Sequence, residues 1–416
     1  MVSLARKNLL EDIPRFLVAQ AGIMFAVSLV TIQTGILKGF SQSTILLIEN
    51  SPADIWIASE KMVNFELTQP LIAEQLKQVE SVAGVAIAEP LMLGNATFYP
   101  NQGQISPIKI IGFKPGSTLF KPGELVRGEM ANLDRPYNMM VDQTKLESLG
   151  MEKLGDLARI QSLPVQLVAV NKNSQSIASS TFGFTSLNNA NTYINANFSS
   201  TIDCSLDQNN QLLCASNFDR IEVPHNSLAQ AMPIKPLEGG DPISYILVKI
   251  DPEMDLTTVQ QNLERTMPGI RAYSRQAMAD KTKNYWVLRT GIGFILGLGA
   301  GVGVIVGIVV VSQILYSSVS DHLQEFATLK AMGAPNRTIY AVIMEQALWM
   351  ALLGFLPGIG LCWGVSVWAG ANGVIILITP VSAIAVLGIT VVMCLSSSFF
   401  AIQKVMNIDP AVVFKA

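Results

Sequence analysis

The stretch DHLQEFATLKAMGAP (residues 321–335) decides the architecture, because it is nearly the only charged island in the last quarter of the chain. Ile292–Ser320 before it holds no Asp, Glu, Lys, Arg or His, and neither does Gln346–Gln403 after it. Crossing bilayer hydrocarbon takes about 20 apolar residues at ~1.5 Å each. The island therefore marks a brief return to water between two crossings. The run from 346 to 403 is too long for one helix. Ala369-Gly370-Ala371-Asn372-Gly373 and Pro380 divide it, which predicts spans near 346–368 and 381–403. Gly291–Tyr316 is the span before the island, with Tyr285 and Trp286 as interfacial anchors. Phe16–Leu37, uncharged between Arg15 and Lys38, is the first of the four. Its apolar length exceeds the roughly 7–15 residues of a leader's apolar region and no small-residue cleavage site closes it, so it reads as an anchor.

Composition agrees. Of 416 residues 50% are hydrophobic and 14% charged, with a mean hydropathy of +0.39, values typical of membrane proteins. A net charge of −3 provides no basic footprint for nucleic acid. Lys and Arg flank the spans at Arg6, Lys7 and Arg15, at Lys330 and Arg337, and at Lys404 and Lys415. With four spans these segments share one face, which reads as cytoplasmic. Lys281, Lys283 and Arg289 oppose that vote, but long domains cross regardless of charge. The expected layout is a cytoplasmic amphipathic arm (1–15), a first transmembrane helix (16–40), an extracytoplasmic domain (41–289) and a C-terminal core (290–416). That core holds three transmembrane helices, a cytoplasmic segment at 317–345 and a cytoplasmic tail at 404–416.

The external part reads as mixed α/β. Asp54–Ala58 is strand-like, Leu71–Val79 is an amphipathic helix, and Gly84–Ala88 returns as a strand. The pattern recurs at Tyr245–Ile250, Leu256–Thr266 and Gly269–Tyr273. In both units a glycine opens the second strand, as a helix C-cap or tight turn requires. The expectation is two βαβ halves of one subdomain, whose relative movement would open or close it; coincidental likeness of two short units is the alternative. Residues 114–240 between them, rich in Asn, Ser and Pro, form an inserted second subdomain with strands near 158–161 and 165–170. Its polar stretch at about 175–215 is the expected docking surface for a soluble partner. That stretch contains Cys204 and Cys214, either a disulfide in an oxidising compartment or two free thiols. Cys362 and Cys394 lie in apolar runs.

Catalytic groups are scarce. The 2 histidines, His225 and His322, are far apart and fit no metal-ligand spacing. No GxSxG and no GxxxxGK[ST] occurs, so the chain is not expected to hydrolyse ATP. GIGFILGLGAGVGVIVG (residues 291–307) is a glycine series inside a span, not a phosphate loop. Gly293, Gly297 and Gly301 recur at four-residue spacing, as do Gly299, Gly303 and Gly307, giving two small faces for close helix packing. Spans without charge argue against ion-coupled transport, which needs buried ionisable groups. On the island, Leu323, Phe326 and Leu329 share one face of a short helix that also carries Glu325 and Lys330, and Gly333 can cap it before Pro335 starts the next helix. Such a helix either docks into a groove of a soluble partner or rests on lipid headgroups.

SVSDHLQEFATLKAMGAPNRTIYAVIMEQALW (residues 318–349) resembles the signature of FtsX/MacB-type ABC transporter permeases, and IDPAVVFKA (408–416) is similar to their tail. ARKNLLEDIPRFLVAQAGIMFAV (5–27) and ADIWIASEKMVNFE (53–66) look most like the DevC branch. The likeness extends over the whole layout: one span, a large external domain with porter-like halves, then three spans. It implies a permease homodimer in the cell inner membrane, its large domain periplasmic, without catalytic residues or cofactor of its own. ATP would be bound by a separate cytoplasmic ATPase, since only a short arm precedes Phe16, and that ATPase would engage Leu323, Glu325, Phe326, Leu329, Lys330 and Gly333. Motion would pass to the external domain, which would work with a periplasmic adaptor and, through it, an outer-membrane channel. The DevC likeness points to a lipid or glycolipid as exported substrate. The alternative is FtsX-like signalling, in which the same motion activates a cell-wall hydrolase without transport; a smaller external domain would be expected there.

Overall fold

The computed structural model describes residues 13–406 apart from 102, 196–198, 207–211, 220–233, 322–324, 326, 329, 331, 333–334 and 372–374. The chain divides into two compact units, one holding residues up to Phe40 and from Thr290 onward, the other Ser41–Arg289. The protein is thus an α-helical membrane protein with four transmembrane helices and a large mixed α/β domain.

The membrane unit consists of helices Ile13–Ser43, Ile292–Asp321, Asn336–Ala371 and Pro380–Met406, all long and apolar enough to cross a bilayer. The third starts directly after Pro335, ten residues before the uncharged run that predicted it, because its first three turns carry the exposed Arg337 and the half-buried Glu345. One face of the first helix enters the bundle core. Its Ala19, Ile23, Ala26, Val27 and Val30 cluster with Val311 and Leu315 of the second helix, Ile343 and Met350 of the third, and Met393 of the fourth. Outward side chains such as Phe294, Ile305, Trp363, Trp368 and Val392 remain exposed and apolar, as lipid-facing positions must be.

The external unit is built on one sheet of 10 strands. Its order runs Ile270–Ser274, Ile55–Ser59, Tyr245–Ile250, Val85–Tyr99, Ser106–Phe113, Thr181–Ser186, Asn138–Asp142, Leu163–Lys172, Glu124–Gly128, with Leu157–Ile160 paired beside this path. The first four strands are those of the two expected βαβ halves, but they interleave. Ile55–Ser59 sits between Tyr245–Ile250 and Ile270–Ser274, antiparallel to both, and Tyr245–Ile250 in turn pairs with Val85–Tyr99. This is the split βαβ arrangement. The two halves thus share ladders and form one continuous sheet, rather than two lobes standing side by side.

The sheet is buried on both faces. Ile55, Ile57, Ile246 and Val248 point into one core, covered by helices Gln75–Glu80 and Leu256–Thr266 through Val79, Val259 and Leu263. Trp56, Ala58, Tyr245 and Leu247 point into the other, covered by Leu46–Asn50 and Arg275–Asn284 through Leu47, Ile48 and Met278. Double burial explains why these strands read as continuous apolar runs while still alternating between cores. Gly84 and Gly269 both hold left-handed φ (92° and 82°) at the start of their strands.

Val85–Tyr99 joins the subdomains, pairing with Tyr245–Ile250 up to Leu91 and with Ser106–Phe113 from Met92. One expectation needs correction here. Leu71–Val79 is not one helix: Leu71–Ile72 pairs with Pro242–Ile243, and Ala73 and Glu74 donate backbone bonds to Asp241 and Gly239, so the helix begins only at Gln75. Much of residues 175–195, the first half of the expected docking stretch, is built into the subdomain core. Thr181–Ser186 is a central strand, and helix Leu187–Asn195 buries Ala190 and Tyr193 in the core. What is separate is the hairpin Ser199–Leu206/Leu212–Asp219, a two-stranded sheet of its own.

Candidate functional site

Three places bear on function: the segment between the second and third spans, the glycine faces of the spans, and the junction where the external sheet meets the chain leading to the first and second spans. In the first, Leu323, Phe326, Leu329 and Gly333 lie outside the described residues. Glu325 and Lys330 are helical, Glu325 exposed and Lys330 half-buried, and Ala327 between them is buried. The helix that follows begins at Asn336, where the amide of Thr338 donates to the Pro335 carbonyl.

The two glycine faces of the second span have different surroundings. A Cβ on Gly299 would lie 2.9 Å from Gln33 Nε2, and one on Gly303 would lie 3.0 Å from Leu29 Cδ2. On Gly307 it would reach Ala26 at 2.9 Å. This face closes on the first span. Gly297 and Gly301 have nothing within 4 Å and face outward, and Gly293 lies in the first turn of the same helix. The first span is also clasped from the third, where a Cβ on Gly354 would lie 2.6 Å from Ile23 and one on Gly358 2.9 Å from Val27. Near its outer end, a Cβ on Gly39 would collide with the Ile375 carbonyl. Lys38 Nζ donates to Thr379 Oγ1 at 2.8 Å, and the Leu377 amide donates to the Gly35 carbonyl at 3.1 Å. Gly354/Gly358 and Gly35/Gly39 were missed in the sequence although they repeat the same four-residue spacing.

The junction is ionic and backbone-mediated. Asp54 Oδ1 pairs with Lys249 Nζ at 2.9 Å, and its Oδ2 accepts from the Ile250 amide at 3.1 Å. The Asp54 amide donates to Val248 O, and the Arg275 amide donates to Asp54 O at 3.1 Å. Arg275 Nη1 donates to Ser51 O at 3.4 Å. Ser274 caps the helix that follows by accepting from the Ala277 amide at 3.1 Å. The strand that follows the first span and the strand that precedes the second are therefore neighbours, in register from Ile55↔Ser274 to Ser59↔Ile270. Behind them Trp56, Phe65 and Tyr245 pack ring against ring at 5.7–5.9 Å. The Tyr245 hydroxyl donates to Phe65 O at 2.8 Å, and burial pushes its phenol well above the usual range. Nothing in the separate sequence motifs announced this junction; Asp54, Lys249 and Arg275 meet only through sheet pairing.

Among the described residues no three or more His, Cys, Asp or Glu side chains gather as metal ligands would. The cysteines within the spans, Cys362 and Cys394, are buried and unbridged. Cys204 and Cys214 are opposite each other in the hairpin register.

Residues 16–266 match the MacB-like periplasmic core domain, and residues 297–410 match the FtsX-like permease C-terminal domain. An uncharacterized ABC transporter permease of Mycobacterium tuberculosis is 34% identical over 111 residues, 26% of this chain and 31% of that protein. One of Mycobacterium bovis is 33% identical over the same length and shares. The match thus spans about a third of the length of these relatives. Among solved structures, the extracellular domain of the noncanonic ABC-type transporter YknZ from Gram-positive bacteria aligns with a TM-score of 0.33 at 11% identity. That alignment covers 53% of this chain and 99% of the other. The periplasmic region of MacB from Actinobacillus actinomycetemcomitans aligns at 0.35 and 11%, covering 56% and 94%. These structural likenesses are too distant to carry an argument. With more than half of the sequence inside the MacB-like match and the last three spans inside the FtsX-like one, the chain belongs to the FtsX/MacB-type ABC transporter permeases.

Proposed function

We propose that this chain is the non-catalytic membrane subunit of an ATP-driven exporter. A separate cytoplasmic ATPase binds the ATP and docks on the segment around Leu323, Glu325, Phe326, Leu329, Lys330 and Gly333, and its motion is passed through the spans to the external domain. The observation that carries this reading is the pairing of Ile55–Ser59 with Ile270–Ser274, which gives the first and second spans a common point of attachment. The apolar stretches of the spans support it: residues 16–37, 292–320, 346–368 and 381–403 hold no Asp, Glu, Lys, Arg or His that could carry a coupling ion. The subunit works as a homodimer in the inner membrane, with the outward Gly297 and Gly301 available to the second copy. A periplasmic adaptor and an outer-membrane channel complete the route, and a lipid or glycolipid is the substrate class favoured by the DevC likeness.

The docking step is tested by Phe326→Asp. Charging an apolar contact buried in a partner costs several kcal/mol unless the charge is paired. The variant is expected to insert normally but to lose stimulation of ATP hydrolysis by the reconstituted ATPase; unchanged stimulation would reject the docking role.

A further inference from the structure

We propose that Cys204 and Cys214 form a disulfide that staples the Ser199–Asp219 hairpin. The two positions are partners in an antiparallel ladder whose register runs without a break from Ser199↔Asp219 to Leu206↔Leu212. Directly opposed residues of such a ladder have Cα atoms about 4.5–5.5 Å apart, inside the range of roughly 4.4–6.8 Å that a disulfide spans. A second observation is independent of that register. Among the described residues the hairpin has no strand partner in the ten-stranded sheet, and a lone two-stranded hairpin in water is marginally stable. A covalent cross-link between its strands supplies what sheet neighbours do not. The chain has 4 cysteines, and these are the only two between the first and second spans. The other two are buried in the membrane unit.

The inference rests on residues 41–289 facing an oxidising compartment outside the cytoplasm. Two S–H bonds break and one S–S bond forms. Two protons go to water, and two electrons reduce the disulfide of a thiol oxidase in that compartment, or oxidised glutathione in vitro.

The test is thiol counting on the full-length protein, alkylated with a maleimide in denaturing detergent straight from membranes and weighed by mass spectrometry. Two labelled cysteines without reductant and four after dithiothreitol are expected, with monomer mobility on a non-reducing gel. The Cys204→Ser variant should show three labels with or without reductant, and its Cys214 should react in intact cells with a reagent that cannot cross the inner membrane. Four labels without reductant, or a reducible dimer, would overturn the disulfide. A Cys214 reached only after permeabilisation would remove the oxidising compartment and overturn it through its premise.

Discussion

Lys109 is a charged residue inside an apolar strand, and its environment determines what a substitution there would do. Its Nζ is 3.2 Å from Glu66 Oε2, with both side chains nearly buried, and Ser179 Oγ donates to the same carboxylate oxygen at 2.7 Å. Removing one partner of a buried pair leaves a charge without compensation, at a cost on the order of 3 kcal/mol. Lys109→Met is therefore expected to lower the unfolding midpoint of the external domain in denaturant titration. Adding Glu66→Gln should recover most of the loss, because no uncompensated charge is then buried and Ser179 keeps a partner. A double variant no better than the single would mean that Lys109 contributes through its stem rather than its charge. The pair was not legible in the sequence. Residues 66 and 109 are brought together only by the loop that follows Ile55–Ser59, and no spacing in the sequence links them.

At the scale of elements, the spans were legible because loss of charge over some 20 residues has a single physical reading in a bilayer. The glycine spacing predicted close packing but not which face packs within the chain. That depends on the partner helix, and the structure closes Gly299 and Gly303 on the first span and Gly307 on the first and fourth, while leaving Gly297 and Gly301 open. Adding a side chain should separate the two faces. Gly39→Ala puts a Cβ against the backbone carbonyl of Ile375, which cannot move aside like a flexible side chain. It is expected to lower the thermal stability of the detergent-solubilised permease. Gly297→Ala fills open space and should leave monomer stability unchanged. Gly297→Leu should instead weaken dimerisation, measured by in-membrane cross-linking, if this face meets the second copy. Equal losses of stability for Gly39→Ala and Gly297→Ala would contradict the packing described.

For the whole molecule, the two-unit division follows from composition, since polar residues 41–289 stand between oily segments. The four strands and the second amphipathic helix of the repeated pattern were also legible, because period-two burial and the glycine turns are local. Their interleaving was not. Strand order is set by pairing between segments nearly 200 residues apart, and a βαβ pattern in sequence does not say whether another strand enters between its two. That order bears on the proposed mechanism: both membrane connections end on adjoining strands of one ladder, and under the proposed function the external sheet moves as a body. The most direct test introduces Ser59→Cys and Ile270→Cys, a register pair of those strands, in a Cys204→Ser/Cys214→Ser background. ATP hydrolysis by the reconstituted partner ATPase is then measured with this pair oxidised and reduced. Rigid-body transmission predicts the same permease-stimulated rate in both states, whereas a rate that collapses on cross-linking and returns with dithiothreitol would show that the two strands must separate in the cycle, and would contradict it.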